Sequence, residues 1–444
     1  MMTWLTHELR LVLRSRLSAA ALALLLALSI VAVWSGRAEV ARQRQTIDRL
    51  VQLNQQDVAA LAARSQPSPE GGTAAYYTFY PTWDAPSQAA FLALGLRDVA
   101  PYVMRIRATG LQAQLHDGES FNPEVALPGR FDFAFVLIYL LPLFAIALLH
   151  DLVSSERQSG RLRMLAAMPD GARMWRRRVG LRYVLLLACV ATPALIWSQG
   201  GALVLLVAAA YLAFWTGVAL LVGTRHWKTV TNATALMGLW AMLTLVLPAL
   251  ANGVISRAIP VHQGVDLMLA QREVVQGAWD RPRAATMDTF YARYPAWRDS
   301  APLPAVFHWK WLFAFNQLGD DSVAGQAQAY RAGLLARQAW TDRLGWLLPG
   351  VGAQAVLHRL AATDLPAQLA YQDRTQAFHQ AIRQFYYGYL FRDQPFGAAD
   401  FARRPVYKPV DVTPALPLQA AGVLLALGGT MLLAGLRRLG RLRI

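Results

Sequence analysis

One cysteine, three lysines and 27 acidic residues among 444 positions leave several kinds of chemistry without their starting groups. The lone Cys189 lies in an apolar run, so no intrachain disulfide can form. Lys228, Lys310 and Lys408 follow Trp227, Trp309 and Tyr407, so none can sit in a G-x-x-x-x-G-K-[ST] phosphate loop. Any ATP must be hydrolysed by another polypeptide. His7-Glu8 lacks a second histidine four residues after the first, and the eight histidines have no ligand-type spacing, so no metal site is expected. Asp132, His150, Asp151 and Asn232 fall at the ends of apolar runs, whereas an intramembrane hydrolase or proton relay needs ionisable groups near the centres. Thr192, inside a run, is expected to bond back to its own helix. Catalysis by this chain is therefore not expected.

What is present is apolar: 55% of residues are hydrophobic and 16% charged, with a mean hydropathy of +0.28. This places the chain with membrane proteins that keep sizeable water-exposed parts. The pattern predicts a mainly α, polytopic fold with six transmembrane helices at 17–35, 131–150, 183–198, 202–222, 231–254 and 415–436. Residues 1–16 form an expected interfacial helix, with Trp4, Leu5, Leu9, Val12 and Leu13 on one side and Glu8, Arg10, Arg14 and Arg16 largely elsewhere. A cleaved signal peptide would share this basic start. The following run of about 18 apolar residues exceeds the usual h-region of about 7–15, so a retained anchor is expected.

Residues 36–130 and 255–412 are the expected extracytoplasmic segments. The first opens with apolar residues at helical spacing, so the first span should continue out of the membrane as a long helix, followed by a small mixed α+β element. The second should be mostly helical, around Val265–Trp279, Ala284–Tyr294, Trp309–Leu318, Val323–Leu347 and Leu365–Phe391. Its recurrent aromatics are expected in core and interface packing.

Charge assigns the sides. The residues before the first span, the loop 151–182, Thr224 to Val230 and the tail 437–444 together hold 17 Lys and Arg against 4 Asp and Glu, which is +13 of the net +16. Positive charge concentrated in short loops beside apolar runs marks the cytoplasmic side, not a nucleic-acid face. Both termini are then cytoplasmic. In the loop, Leu162, Met164, Leu165 and Met168 stand among arginines, as expected if a soluble partner covers them. The alternative is a basic helix on anionic headgroups, and Arg176, Arg177 and Arg178 are expected as membrane-surface anchors in either case.

Six spans, an interfacial N-terminal helix, a tight third-to-fourth hairpin and a loop beginning Glu156-Arg157-Gln158-Ser159-Gly160 resemble the permease subunits of type-2, exporter-like ABC transporters. Residues 90–103, 121–143 and 360–385 look like the subgroup whose first and fifth spans precede large extracytoplasmic segments. Asn122-Pro123 and Gly129-Arg130-Phe131-Asp132 are the more specific pieces. The resemblance implies a coupling helix opening at Glu156 and Gly160, with Arg161, Arg163 and Met164 on or near an ATPase subunit. Trp4, Glu8 and Arg10 of the interfacial helix would brace the same subunit. It further implies ATP and Mg bound by that partner, a second permease copy or a related chain, lipid around both, and an exported substrate crossing a bacterial inner membrane. Family members more often carry Glu at position 158 and Thr at 161. Two other functions remain open: mechanical work on an envelope partner without transport, and a membrane-anchored periplasmic binding or scaffold protein.

Overall fold

Nothing between Leu17 and Arg64 breaks a helix except the isolated Gly36. In the computed structural model that whole stretch is one helix, Arg16–Arg64. The structure describes residues 2–64, 70–115, 130–167, 171–197, 201–261, 264–410 and 416–441. At 1.5 Å per residue the helix is about 73 Å long, more than twice a hydrocarbon core of about 30 Å. Gly36 marks where it meets the body outside the bundle. A Cβ there would lie 2.1 Å from the carbonyl oxygen of Phe91, so only glycine allows the approach.

Six helices are long and apolar enough to cross a membrane. After the first come Phe133–Gln158, Gly171–Trp197, Gly201–Gly223, Thr229–Ala258 and Leu418–Gly440. The fold is mainly helical. Among the described residues the one sheet is an antiparallel pair, Tyr80–Trp83 with Val103–Ile106, which sets Tyr80 opposite Ile106. Two boundaries differ from expectation. The second span runs on through a turn to Gln158, and the third begins at Gly171, so much of 151–182 is helix continuous with the spans. Residues 116–129, which carry Asn122-Pro123 and Gly129, lie outside the described residues.

Two spans absorb a proline by widening one turn. Pro142 has no N–H and would clash with the carbonyl of Ile138, and the turn before it, Val136–Leu140, is a π-helix. Tyr211 on the fourth span donates its hydroxyl to that carbonyl at 2.9 Å, so the freed acceptor is satisfied inside the bundle. Pro248 follows a second such turn, Met242–Val246, in the fifth span.

The fourth and sixth spans run side by side at backbone contact. A Cβ on Gly428 would lie 2.1 Å from the Ala210 carbonyl oxygen, and one on Gly217 would lie 2.3 Å from that of Met431. Gly435 repeats the contact against Gly217. Small residues seven apart, two turns of helix, keep one face flat, which is how helices associate where no hydrophobic force separates protein from lipid.

Two helices of the second segment lie outside the expected set, the short Ala398–Ala402 and Pro349–Ala361, nearly all of which is buried. The latter was expected with the second extramembrane segment, yet Ala353, Val356, Leu357, Leu360 and Ala361 share a core with the spans. Arg337, on the preceding helix Ala324–Leu344, donates to the carbonyls of Ile259 and Ser256 at the end of the fifth span. From there the chain descends about 13 Å, reckoned at helical rise, to Trp346. Leu348 and Val351 then pack on Leu243 and Leu247, about midway along the fifth span. Gly345 and Gly352 pinch the turn, a Cβ on Gly352 meeting the Gly345 carbonyl oxygen at 2.6 Å. The chain thus dips into the bundle and returns as a helical hairpin.

Gly428→Leu should separate the fourth and sixth spans and destabilise the protein by at least about 1–3 kcal/mol, whereas Gly429→Leu, which meets nothing within 4 Å, should cost little. Thermal unfolding of both variants in detergent checks this.

Candidate functional site

At the end of the bundle opposite the extramembrane body, the second span stops at a glycine. Gly160 has φ +73°, a left-handed conformation that side chains resist, and its N–H bonds the Arg157 carbonyl at 3.0 Å while Ser159 N–H bonds Ser155 at 3.0 Å. The chain reverses there and enters a short helix, Leu162–Ala167. Leu162 and Leu165 turn toward the bundle core, while Met164 is 59% exposed. The side chains of Trp4 and Arg163, and Met168 altogether, lie outside the described residues.

Charge holds this loop to two other elements. Glu156 accepts from Arg161 Nε at 2.8 Å and from Arg178 Nη1 at 3.5 Å. Arg178 Nε donates in turn to Glu8 at 3.1 Å, on the N-terminal helix Met2–Arg14. The Glu8 and Arg178 side chains are 8% and 17% exposed, so the pair is largely withdrawn from water, whereas Arg161 is 61% exposed. Arg178 also lies over the ring of buried Trp175. Arg157 donates to the Arg225 carbonyl at 2.7 Å, and Thr229 bonds both Ser154 and Gln158, which fixes the loop to the start of the fifth span. The loop, the N-terminal helix and the ends of the second, third and fifth spans therefore form one joined unit.

The sequence-predicted residues divide accordingly. Glu156, Gly160 and Arg161 meet at the turn, and Met164 presents an apolar side chain beside them. Glu8 was placed away from the packed face of its helix. In the structure Glu8 and Val12, one turn apart, are buried, while Leu11 and Leu13 are exposed. The reason is Arg178, a partner 170 positions away that no local pattern reveals. Arg10, Arg176 and Arg177 are exposed at the same end, whereas Arg178, expected with them at the membrane surface, is turned inward. Among the described residues no group of three or more His, Cys, Asp or Glu is placed to hold a metal ion.

The middle of the long helix is joined as firmly. Gln43 accepts from Arg97 at 3.1 Å; Arg97 pairs with Asp84, and Asp84 takes a second guanidinium from Arg374 at 2.6 Å. Burial still raises the Asp84 carboxyl above its ordinary value despite both arginines. Arg130 bridges Glu39 on the long helix to Asp98. Deeper in the body, Asp320 accepts the backbone N–H groups of Leu111 and Gln112 at 2.9 and 3.0 Å and Arg383 at 2.7 Å. Arg383 and His379 both bond the Thr109 carbonyl, at 2.9 and 2.8 Å. These bonds clip the first extramembrane segment onto the helices of the second.

Two measurements test these joints. In a double-mutant cycle, Glu8→Gln and Arg178→Gln should show a coupling energy of about 1 kcal/mol or more in denaturant unfolding, larger than an exposed pair gives. Burial, with Arg383 alongside, holds His379 well below its ordinary 6.5, so the folded protein keeps it neutral while the unfolded chain takes up a proton. Stability present above pH 6.5 is thus lost as pH falls, by about 1.4 kcal/mol per unit, until the lowered native value is reached. His379→Gln, which retains an N–H for Thr109, should flatten this slope in unfolding measured down to about pH 5.

Comparison with known proteins yields one family match. Residues 265–409 match a domain of unknown function, DUF3526, a stretch that takes in the helices from Gly264 to Ala402 and, with them, the dipping hairpin. No curated protein and no solved structure matches the chain.

Proposed function

We propose that this chain is the membrane subunit of an ATP-binding-cassette transporter, driven by a separate ATPase that docks on the loop around Glu156 and Gly160. The observation that carries the reading is the junction itself. A short helix with an exposed apolar side chain, Met164, and an exposed cation, Arg161, is fixed by Glu156, Arg178 and Glu8 to several span ends at once. A partner that moved this helix would move all of them. A solvent-facing methionine among arginines suits a protein surface better than water. On this reading ATP and Mg belong to the partner, a second permease copy completes the pathway, the loop end faces the cytoplasm of a bacterial cell and the extramembrane segments face the periplasm.

A second reading, mechanical transmission to an envelope partner without transport, is favoured by one feature. The uninterrupted helix Arg16–Arg64 carries any tilt at the loop end directly into the extramembrane body, to which Gln43, Glu39 and Asn54 fasten it. Transport and transmission share the docking step, so that step is tested first. Met164→Glu leaves every described ion pair of the chain intact, and should abolish co-purification with any co-expressed ABC ATPase that binds the native chain and the stimulation of its ATP hydrolysis. Unchanged association in that variant, or no association of the native chain, would remove the ATPase-coupled reading. Accumulation of cargo in liposomes would then separate transport from transmission.

A further inference from the structure

A cavity of about 620 Å³ opens between the dipping hairpin and the start of the sixth span. Its size is that of a small-ligand site. Trp346 and Ala355 of the hairpin and Leu418 of the span line its apolar part, and Asp342, Arg359 and Asp364 bring three ionisable groups to the same space. Arg359 pairs with Asp342 through Nη2, and its Nε lies 3.9 Å from Asp364. Asp342 also accepts from Gln338 at 3.1 Å, and Asp364 from Ala367 N–H at 3.2 Å. The Asp342 and Arg359 side chains are 34% and 27% exposed, so both face the cavity, whereas Asp364, at 8%, lends its charge from behind them.

Ionisable groups beside membrane helices are costly unless they meet water or a ligand of matching charge. Two carboxylates and one guanidinium give the site both signs and a net charge of −1. Asp342 occupies one end of the Arg359 guanidinium and leaves it further donors, which suit a phosphate. Two carboxylates beside it suit an ammonium. The mouth is apolar, because Leu416 and Leu418 are 63% and 68% exposed where the sixth span begins. Opposite charges within one headgroup's reach, at the rim of a bundle that is apolar below, match one class of molecule.

We propose that this cavity holds the headgroup of a zwitterionic phospholipid from the surrounding leaflet, its phosphate on Arg359 and its ammonium on Asp342, with the buried charge of Asp364 close behind and an acyl chain leaving past Leu418. The site needs the bundle to lie in a membrane and needs no ATPase, so it stands or falls separately from the coupling reading. The full chain, purified in mild detergent and titrated with dioleoylphosphatidylethanolamine or dioleoylphosphatidylglycerol, is examined by native mass spectrometry. One phosphatidylethanolamine should bind saturably, in preference to the anionic lipid. Asp342→Asn combined with Asp364→Asn turns the net charge from −1 to +1 while keeping side-chain acceptors, and should weaken phosphatidylethanolamine binding by about tenfold or more, the worth of one charge-assisted hydrogen bond, and reverse the preference. Gln419→Trp, at an exposed lining position, should block both lipids with an unchanged unfolding temperature. Equal retention of the two lipids by the native chain, or unaltered phosphatidylethanolamine binding in Gln419→Trp, would overturn the proposal.

Discussion

A single ladder of backbone hydrogen bonds runs unbroken from Arg16 to Arg64, and the rest of the molecule is arranged along it. A helix of that length resists shortening and bends only gently without a proline or a bulge. The second and fifth spans show the contrast, since Pro142 and Pro248 each follow a widened turn. The first span has no such joint. Its position is therefore set along its length, by the N-terminal helix held through Glu8 and Arg178, by the packing of Leu25, Ala32 and Gly36, and by the extramembrane residues that bond Glu39, Gln43 and Asn54.

The scarcity of charge in this chain gives those few ion pairs their meaning. Buried or half-buried pairs add little net stability, because desolvation offsets most of the attraction, but breaking one side leaves a charge stranded. They act as registration points. Arg178 sets the loop against the N-terminal helix, Arg97 and Arg374 set the first extramembrane segment between the long helix and Leu365–Phe391, and Arg383 sets the 108–112 turn on Asp320. Apolar packing would tolerate sliding at each of these places; directed guanidinium bonds do not.

Sequence pattern reached the six apolar helices and the long continuation of the first because both rest on local properties, run length and the absence of breakers. Five helices of the second segment were legible for the same reason. Pro349–Ala361 was not, because it begins Pro-Gly, buries its polar Gln354 and His358 along with its apolar residues and packs on elements distant in sequence. The helix of the third span begins before its apolar run, at Gly171, because Arg176 to Arg178 are good helix formers and their charge marks a side without ending a helix. In the candidate site, Glu156 and Gly160 could be placed by local order, but the Glu8 contact could not. Nothing near Glu8 encodes a guanidinium carried by the third span.

The hairpin pinched at Gly345 and Gly352 also constrains how the protein is made. Its return helix touches Ile138 and Tyr211 on spans synthesised long before it, Leu243 and Leu247 on the span just completed, and the sixth span that follows. The groove it enters exists only once the second, fourth and fifth spans have assembled, and the contact between Gly428 and Ala210 closes the bundle beside it. A chain lacking the helix from Leu418 onward would therefore hold an incompletely covered hairpin.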